Sequence, residues 1–167
     1  MEIQIHPLQS HHDIDAFTCG IAALDNWLPC TAKQHSRKGI SRSYVAVNAD
    51  NQQKVIGFYS LTVGEAGTEA FPSTVAKALP RKIPIVLIGR LAVSTQAQSQ
   101  GIGGILLVDA LRRTVRVSSE VGISAILVDA KDQKAVAFYQ HYGFLALPDL
   151  PNRLVLPIKT AVDLFED

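Results

Sequence analysis

Apolar residues recur along the chain with two different periods, and the places where the period switches mark out the elements. Ile3 and Ile5 alternate with polar neighbours as in a short first strand, which His6-Pro7 interrupts. From Asp13 the step lengthens: Phe17, Ile21, Leu24, Trp27 and Leu28 fall on one helical stripe. Gly20 inside the stripe and Pro29 after it suggest two short helices, the second being the polar, basic segment Thr31 to Gly39, which ends at its glycine. Ser43 to Asn48 and Val55 to Leu61, rich in β-branched and aromatic residues, pair as an antiparallel hairpin across Ala49-Asp50-Asn51-Gln52.

Gly64 to Pro80 mixes Gly, Thr, Ala and Pro and reads as a loop with one short helix near Val75 to Leu79, after which Ile83 to Val93 forms a long apolar strand. Ser94 to Gly104 is polar and glycine-rich. Ile105, Leu106, Val108, Leu111 and Val115 then follow helical spacing. Ile123 to Asp129 is a nearly continuous apolar strand; Asp132 caps a helix carrying Val136, Phe138 and Tyr139, and Gly143 ends it. Phe144 to Leu147 and Leu154 to Ile158 are two closing strands across a Pro148 to Asn152 turn. The order predicts an α+β fold in which helices cover a mixed, mainly antiparallel sheet, with residues 1–167 as a single domain because no linker interrupts them.

Composition narrows the class. Hydrophobic residues are 47% and charged residues 19% of the chain, with a mean hydropathy of +0.16, which excludes intrinsic disorder. Apolar runs such as Ile83 to Ile88 and Ile123 to Val128 are far short of the roughly 20 residues that span a bilayer. Met1-Glu2-Ile3-Gln4-Ile5 has no basic segment leading into an apolar stretch, so no secretory signal is expected and the cytoplasm is the expected compartment. Cys19 and Cys30 are expected as reduced thiols, and His11, His12 and His35 lack the close Cys or His pairing of a zinc site, so no metal is expected.

The formal charge is only +1, but its distribution is uneven. Lys33, Arg37, Lys38 and Arg42 fall in a stretch without acidic residues, and Lys77, Arg81, Lys82 and Arg90 fall in another. A solvated face accounts for such stretches, and so does contact with phosphate. A second anion signal is Gln98-Ser99-Gln100-Gly101-Ile102-Gly103-Gly104, placed between a buried strand and a helix. The first N–H groups of a helix lack intrahelical acceptors, glycine removes the Cβ atoms that would hold a phosphate away, and the helix dipole adds positive charge. No Lys-Ser or Lys-Thr follows the glycines, and the spacing is not Gly-x-Gly-x-x-Gly, which disfavours a nucleotide hydrolase.

Gln98-x-x-Gly101-x-Gly103, preceded by Ile88-Gly89-Arg90-Leu91-Ala92-Val93 and followed by Ala137-Phe138-Tyr139 and Tyr142-Gly143-Phe144, resembles the pyrophosphate turn and C-terminal motif of the GNAT acetyltransferase superfamily. Phe17-x-Cys19-Gly20, Leu24-Asp25-x-Trp27-Leu28 and Val55-Ile56-Gly57-Phe58-Tyr59-Ser60-Leu61 further resemble the GNAT toxins of bacterial toxin-antitoxin pairs, a likeness covering nearly the whole chain. The resemblance implies a GNAT fold with splayed central strands. It also implies transfer of acetyl from acetyl-CoA to the α-amine of aminoacyl-tRNA, and neutralisation by a small ribbon-helix-helix antitoxin; it leaves a homodimer open.

By the same resemblance, backbone N–H groups from Gln98, Ser99, Gln100, Gly101, Ile102, Gly103 and Gly104 would hold the pyrophosphate, and Leu91, Ala92 and Val93 would flank the pantetheine arm and polarise the thioester carbonyl. Tyr139 would protonate the departing thiolate, with Tyr142 as a rival that packing before Gly143 explains better. Lys33, Arg37, Lys38, Arg42, Arg81, Lys82 and Arg90 are the candidate tRNA contacts. Asp109 is spaced to pair with Arg112 or Arg113. Two other readings stay open: an acetyltransferase for a protein N-terminus, polyamine or other small amine, and an acyl-CoA-binding module without chemistry.

Overall fold

The computed structural model of the chain describes residues 1–147 and 149–166, so Pro148, the first residue of the expected turn, lies outside the described residues. The elements are β1 (Ile3–Pro7), α1 (Ala22–Trp27), a π-helical turn (Leu28–Ala32), α2 (Lys33–Lys38), β2 (Arg42–Asn48), β3 (Asn51–Ala66), a 3-10 turn (Thr68–Ala70), α3 (Ser73–Ala76) and β4 (Ile83–Val93). After these come α4 (Ile102–Ser118), β5 (Ala125–Asp129), α5 (Gln133–His141), β6 (Leu145–Leu147), β7 (Leu150–Pro157) and α6 (Ile158–Leu164). The hydrogen-bonded strand order is β1-β2-β3-β4-β5-β7-β6. The β1–β2, β2–β3, β5–β7 and β6–β7 pairs are antiparallel and β4–β5 is parallel, which gives the mixed sheet the residue pattern predicts. The parallel ladder runs from Ile85↔Ala125 to Ile88↔Val128, while β4 itself continues to Val93.

The chain divides into two compact units, Met1–Thr62 with Gly89–Ala110, and Val63–Ile88 with Leu111–Asp167. In the first, Phe17, Trp27, Leu28, Val45, Val47, Phe58 and Ala92 form a buried cluster. The Trp27 ring stacks on Phe58 (centroids 6.0 Å apart, 7° between planes), and Phe17 meets Phe58 edge-on at 5.4 Å. The core of the second is built from Phe71, Ile83, Ile85, Ala125, Leu127, Leu147 and Val155.

Several local expectations are corrected. The stripe from Phe17 to Leu28 is buried as its spacing predicts, but Asp13 to Gly20 is not helical. Asp13 N–H donates to the Gln53 carbonyl (2.8 Å) and Gly20 turns at φ +90°, so the helix starts only at Ala22. Pro29 does not break the helix: its missing N–H is absorbed by the π-helical turn that joins α1 to α2. Gly39 ends α2 at φ +71°, where its N–H reaches Ser36 O. Pro7 stays in β1, opposite Tyr44, because an outer strand can spare a donor.

β3 runs past Leu61 to Ala66, and the short helix expected near Val75 to Leu79 lies at Ser73–Ala76. The last strand starts earlier than expected, at Leu150, and ends at Pro157, with α6 following it unanticipated and burying Ala161. Asp132 caps α5 through a 2.8 Å hydrogen bond from Ala135 N–H, as its side-chain chemistry predicts.

α4 packs directly on β3 at Gly57. A Cβ built there would lie 2.9 Å from Leu106 Cδ1 and 3.1 Å from the Ala92 carbonyl oxygen. Leu106 is fully buried and the carbonyl belongs to a strand, so neither yields cheaply. Gly57→Ala is therefore expected to destabilise the fold by about 1–3 kcal/mol, the usual cost of overpacking, as a lower denaturant midpoint at unchanged m-value.

Candidate acetyl-transfer site

The turn after β4 is held at its start by backbone hydrogen bonds and by the Gln98 side chain. Ala97 N–H donates to Ser94 O and Thr95 N–H to Thr18 O, each at 2.9 Å. The Gln98 amide nitrogen donates twice, to Val93 O at 3.0 Å and Cys19 O at 3.1 Å, so this side chain braces the turn and leaves the backbone to face a ligand. Ser99 (φ +65°) and Gly101 (φ +79°) both take the left-handed conformation, and Ser99 is the one non-glycine residue among those described to do so. Left-handed residues in such a turn aim neighbouring N–H groups into a common concavity. For Ser99 that backbone costs on the order of 1 kcal/mol, a strain of the kind found at ligand-binding turns.

α4 then begins at Ile102, which is 2% exposed and anchors the helix, while Gly103 and Gly104 sit partly open above it. The first backbone bond closing onto the turn is Ile105 N–H to Gly101 O (3.2 Å); the N–H groups of Ile102, Gly103 and Gly104 precede any intrahelical acceptor. Charge on these donors and the dipole of the long helix favour an anion. The residues present thus fit the pyrophosphate of a coenzyme A. A cleft of about 310 Å³ reaches the same turn through Gln96, Ala97 and Gln100, and there Lys54 Nζ donates to Gln96 Oε1 at 3.0 Å. Lys54 is not among the cations the sequence singles out, because it reaches the turn only through strand pairing.

The candidate tRNA contacts divide between the units. Lys33, Arg37, Lys38 and Arg42 lie on α2 and just beyond it, with all but the half-buried Lys33 exposed, and Arg42 Nη1 donates to Ser36 O at 2.7 Å. Arg90, in the same unit, lays its guanidinium 4.2 Å over the Trp27 ring, whose other neighbours are Phe58 and an edge-on His35 at 5.9 Å. Burial pushes the Arg90 guanidinium below its ordinary value, yet arginine keeps its charge throughout the physiological range. Trp27 is 8% exposed, and its Nε1 has no hydrogen-bond partner among the described residues. Arg81 and Lys82, exposed, belong to the second unit.

Tyr139 also belongs to the second unit. It is 6% exposed and packed edge-on against Phe138 (5.1 Å) and Phe144 (5.6 Å). Burial pushes its hydroxyl up to about 12, which keeps it a proton donor. Tyr142 is less buried and packs on Phe138 and His141. Elsewhere, Asp109 Oδ2 accepts from Tyr59 OH at 2.5 Å, and Arg112 lies 5.1 Å over Phe165. Cys19 is buried, Cys30 exposed, and neither is in a disulfide. Among the described residues no cluster of three or more His, Cys, Asp or Glu is placed to hold a metal, and no helix is long and apolar enough to cross a membrane.

Asp25 has a place here that its sequence position does not reveal. In the first turn of α1, it accepts from Cys19 N–H (2.7 Å) and from the Thr18 hydroxyl (3.1 Å). Its partial burial works to raise the carboxyl, but the hydrogen bonds from Cys19, Thr18 and Gly20 outweigh this and hold it below the ordinary carboxylate value. The spacing of Cys19-Gly20 and Leu24-Asp25 carries a trace of this, but which carbonyls and amides face Asp25 is settled only by the turn at Gly20.

The acetyltransferase (GNAT) domain family matches residues 40–145. A tRNA-acetylating toxin of Mycobacterium tuberculosis (strain ATCC 25618 / H37Rv) is 36% identical over 93% of this chain and 92% of its own. A probable toxin TacT of Sinorhizobium fredii (strain NBRC 101917 / NGR234) is 34% identical over 93% and 91%. Among solved structures, AtaT complexed with acetyl-methionyl-tRNAfMet superposes with a TM-score of 0.90 at 31% identity, covering 99% of this chain and 100% of that one. A tyrosine-to-phenylalanine mutant of KacT superposes at 0.92 and 31%, with the same coverage.

The buried hydroxyl gives a pH signature. Tyr139 has a folded-state value of about 12 against 10.0 for a free tyrosine, so its contribution to stability is full below about pH 10 and is lost as pH rises through about 12. In an ultraviolet titration Tyr139 should therefore ionise near pH 12, and Tyr139→Phe should remove that contribution.

Proposed function

Because the chain belongs to the GNAT acetyltransferase family, we propose that it moves the acetyl group of acetyl-CoA onto the α-amine of aminoacyl-tRNA and so blocks translation in the cytoplasm. Residues 1–167 act as one acetyltransferase domain, and a cognate ribbon-helix-helix antitoxin neutralises it, as AtaT is bound by the C-terminus of the antitoxin AtaR. The observation that carries this reading is the turn Gln98–Gly104, whose open N–H groups at the start of α4 form an anion cradle at the position the family motif assigns to the cofactor.

Acetyl-CoA supplies an activated thioester. The chain's own residues hold and orient it: backbone donors from Ser99 to Gly104 take the pyrophosphate, and backbone at Leu91 to Val93, on the stretch of β4 beyond its ladder with β5, flanks the arm and polarises the carbonyl. Tyr139 donates the proton that the leaving thiolate needs; a hydroxyl held at about 12 stays protonated at neutral pH. Lys33, Arg37, Lys38, Arg42, Arg81, Lys82 and Arg90 contact substrate phosphates. A protein N-terminus or polyamine as acceptor would leave these cations without a role.

Three outcomes are expected. Gly103→Glu places a carboxylate in the cradle, and CoA binding in a folded variant should vanish from calorimetry. Tyr139→Phe should lower turnover by about 10²-fold at nearly unchanged CoA affinity, with acetyl-aminoacyl-tRNA read by mass spectrometry. Neutralising two of Lys33, Arg37, Lys38 and Arg90 should raise KM for charged tRNA and flatten its salt dependence by about one unit for each phosphate no longer engaged. An unchanged salt slope favours a small-amine acceptor.

A further inference from the structure

The backbone of Cys19 is gripped from two directions. Its N–H donates to Asp25 Oδ1 at 2.7 Å, and its carbonyl accepts from Gln98 Nε2 at 3.1 Å. Each grip is doubled: Asp25 Oδ2 accepts from the Thr18 hydroxyl (3.1 Å), and Gln98 Nε2 also donates to Val93 O (3.0 Å). A third tie, Thr95 N–H to Thr18 O at 2.9 Å, joins the same strap to the start of the turn. Gly20, left-handed at φ +90° with Thr95 Cγ2 3.7 Å from where a Cβ would sit, lets the strap bend back into α1. Asp25 stands two positions before Trp27, the ring on which the Arg90 cation rests. Hydrogen bonds from this strap thus link the cofactor turn to the helix that carries the cation-bearing ring.

We propose that Asp25 and Gln98 are positioning residues which clasp the Cys19 backbone from opposite sides, so that cofactor held at the Gln98–Gly104 turn and acceptor held at the Trp27–Arg90 wall stabilise one another. This rests on the acetyl-transfer reading above. The chemistry sets what each position tolerates. Position 98 must present an N–H donor to two carbonyls: arginine can, whereas glutamate, of the same shape as glutamine, offers only acceptors and is repelled by both. Position 25 must accept from an amide N–H and a hydroxyl; asparagine keeps one acceptor for Cys19 N–H, and alanine keeps none. Asp25 itself lies outside the turn, and its hydrogen bonds reach the turn through the strap at Thr18 and Cys19.

The test is a double-mutant cycle on the full chain, with CoA affinity read by calorimetry and KM for charged tRNA read separately. Asp25→Ala should weaken CoA binding about tenfold, the effect of a lost charged hydrogen bond, and raise KM for charged tRNA as well. Gln98→Glu should do at least as much, Gln98→Arg should restore binding to within a few-fold of the parent, and Asp25→Asn should fall between parent and alanine. The double variant Asp25→Ala/Gln98→Glu should be no worse than the poorer single one, because both cut the same clasp. Unchanged CoA affinity in Asp25→Ala, additive effects in the double variant, or failure of Gln98→Arg to restore binding each overturn the proposal. Should Asp25→Ala not fold, as judged by circular dichroism, Asp25→Asn and the Gln98 pair carry the same comparison. A parent protein that binds CoA but leaves aminoacyl-tRNA unmodified would overturn the function proposed above, and the CoA cycle would still decide the clasp.

Discussion

Everything at this site depends on keeping the first backbone N–H groups of α4 unpaired and reachable. A helix start normally recruits a capping side chain, because its first N–H donors have no intrahelical acceptor. Among the described residues, none between Val93 and Ile102 fills that role toward the helix. Three polar side chains before the helix are committed backwards: Ser94 Oγ accepts from Gln96 N–H at 3.4 Å, Gln96 Oε1 accepts from Lys54, and the Gln98 amide donates to Val93 and Cys19 carbonyls. The left-handed backbone at Ser99 and Gly101 then brings the chain into α4. A strained turn with uncapped donors is poor design for stability and good design for holding an anion.

Tight packing in the first unit lies directly behind the turn for the same reason. An uncapped helix start has to be fixed by other means, and burial of Ile102, Leu106 and Leu107 supplies them. Gly57 lets α4 approach β3 closely, since a Cβ there would lie 2.9 Å from Leu106 Cδ1 and 3.5 Å from Ile102 Cγ2, so the helix is pinned against that strand. Tyr59, one pleat further along β3, reaches Asp109 on the helix, which fixes its rotation about its axis as packing fixes its distance.

The strand-turn-helix unit is legible in the residues because each of its signals is local: a continuous apolar run, a glycine-rich turn, a helical stripe. β4 has the boundaries its apolar run implies, and Asp132 caps α5 where its side-chain chemistry says it should. Residue patterns mislead where tertiary partners decide. Asp13 to Gly20 has helical spacing of its apolar residues, yet its backbone bonds to Gln53 and bends at Gly20, so periodicity reports burial correctly and secondary structure wrongly. Pro29 looks like a break because local rules do not foresee a π-helical turn. Trp27 and Asp25 stand in a motif that assigns them no role, since a cation over a ring and a carboxylate on a distant amide arise only once the chain has folded.

Placement of charge matters more here than its sum. A chain at +1 has almost no net attraction for a polyanion, so any affinity for one would have to come from where its cations are held rather than from their number. Several basic side chains are already engaged: Arg153 is paired with Asp129 at 2.9 Å, Arg42 donates to a helix-end carbonyl, and Lys54 bonds Gln96. Arg90 differs because its described contact is the face of Trp27, which attracts the cation without neutralising it. Half-buried and desolvated, such a guanidinium has shed part of its hydration before any phosphate arrives, and it is screened less by salt than the exposed Arg37 and Lys38. The cations of this unit thus fall into two kinds. The exposed ones on α2 have a field that is screened as salt rises, while Arg90 is half-buried and held by the ring beneath it.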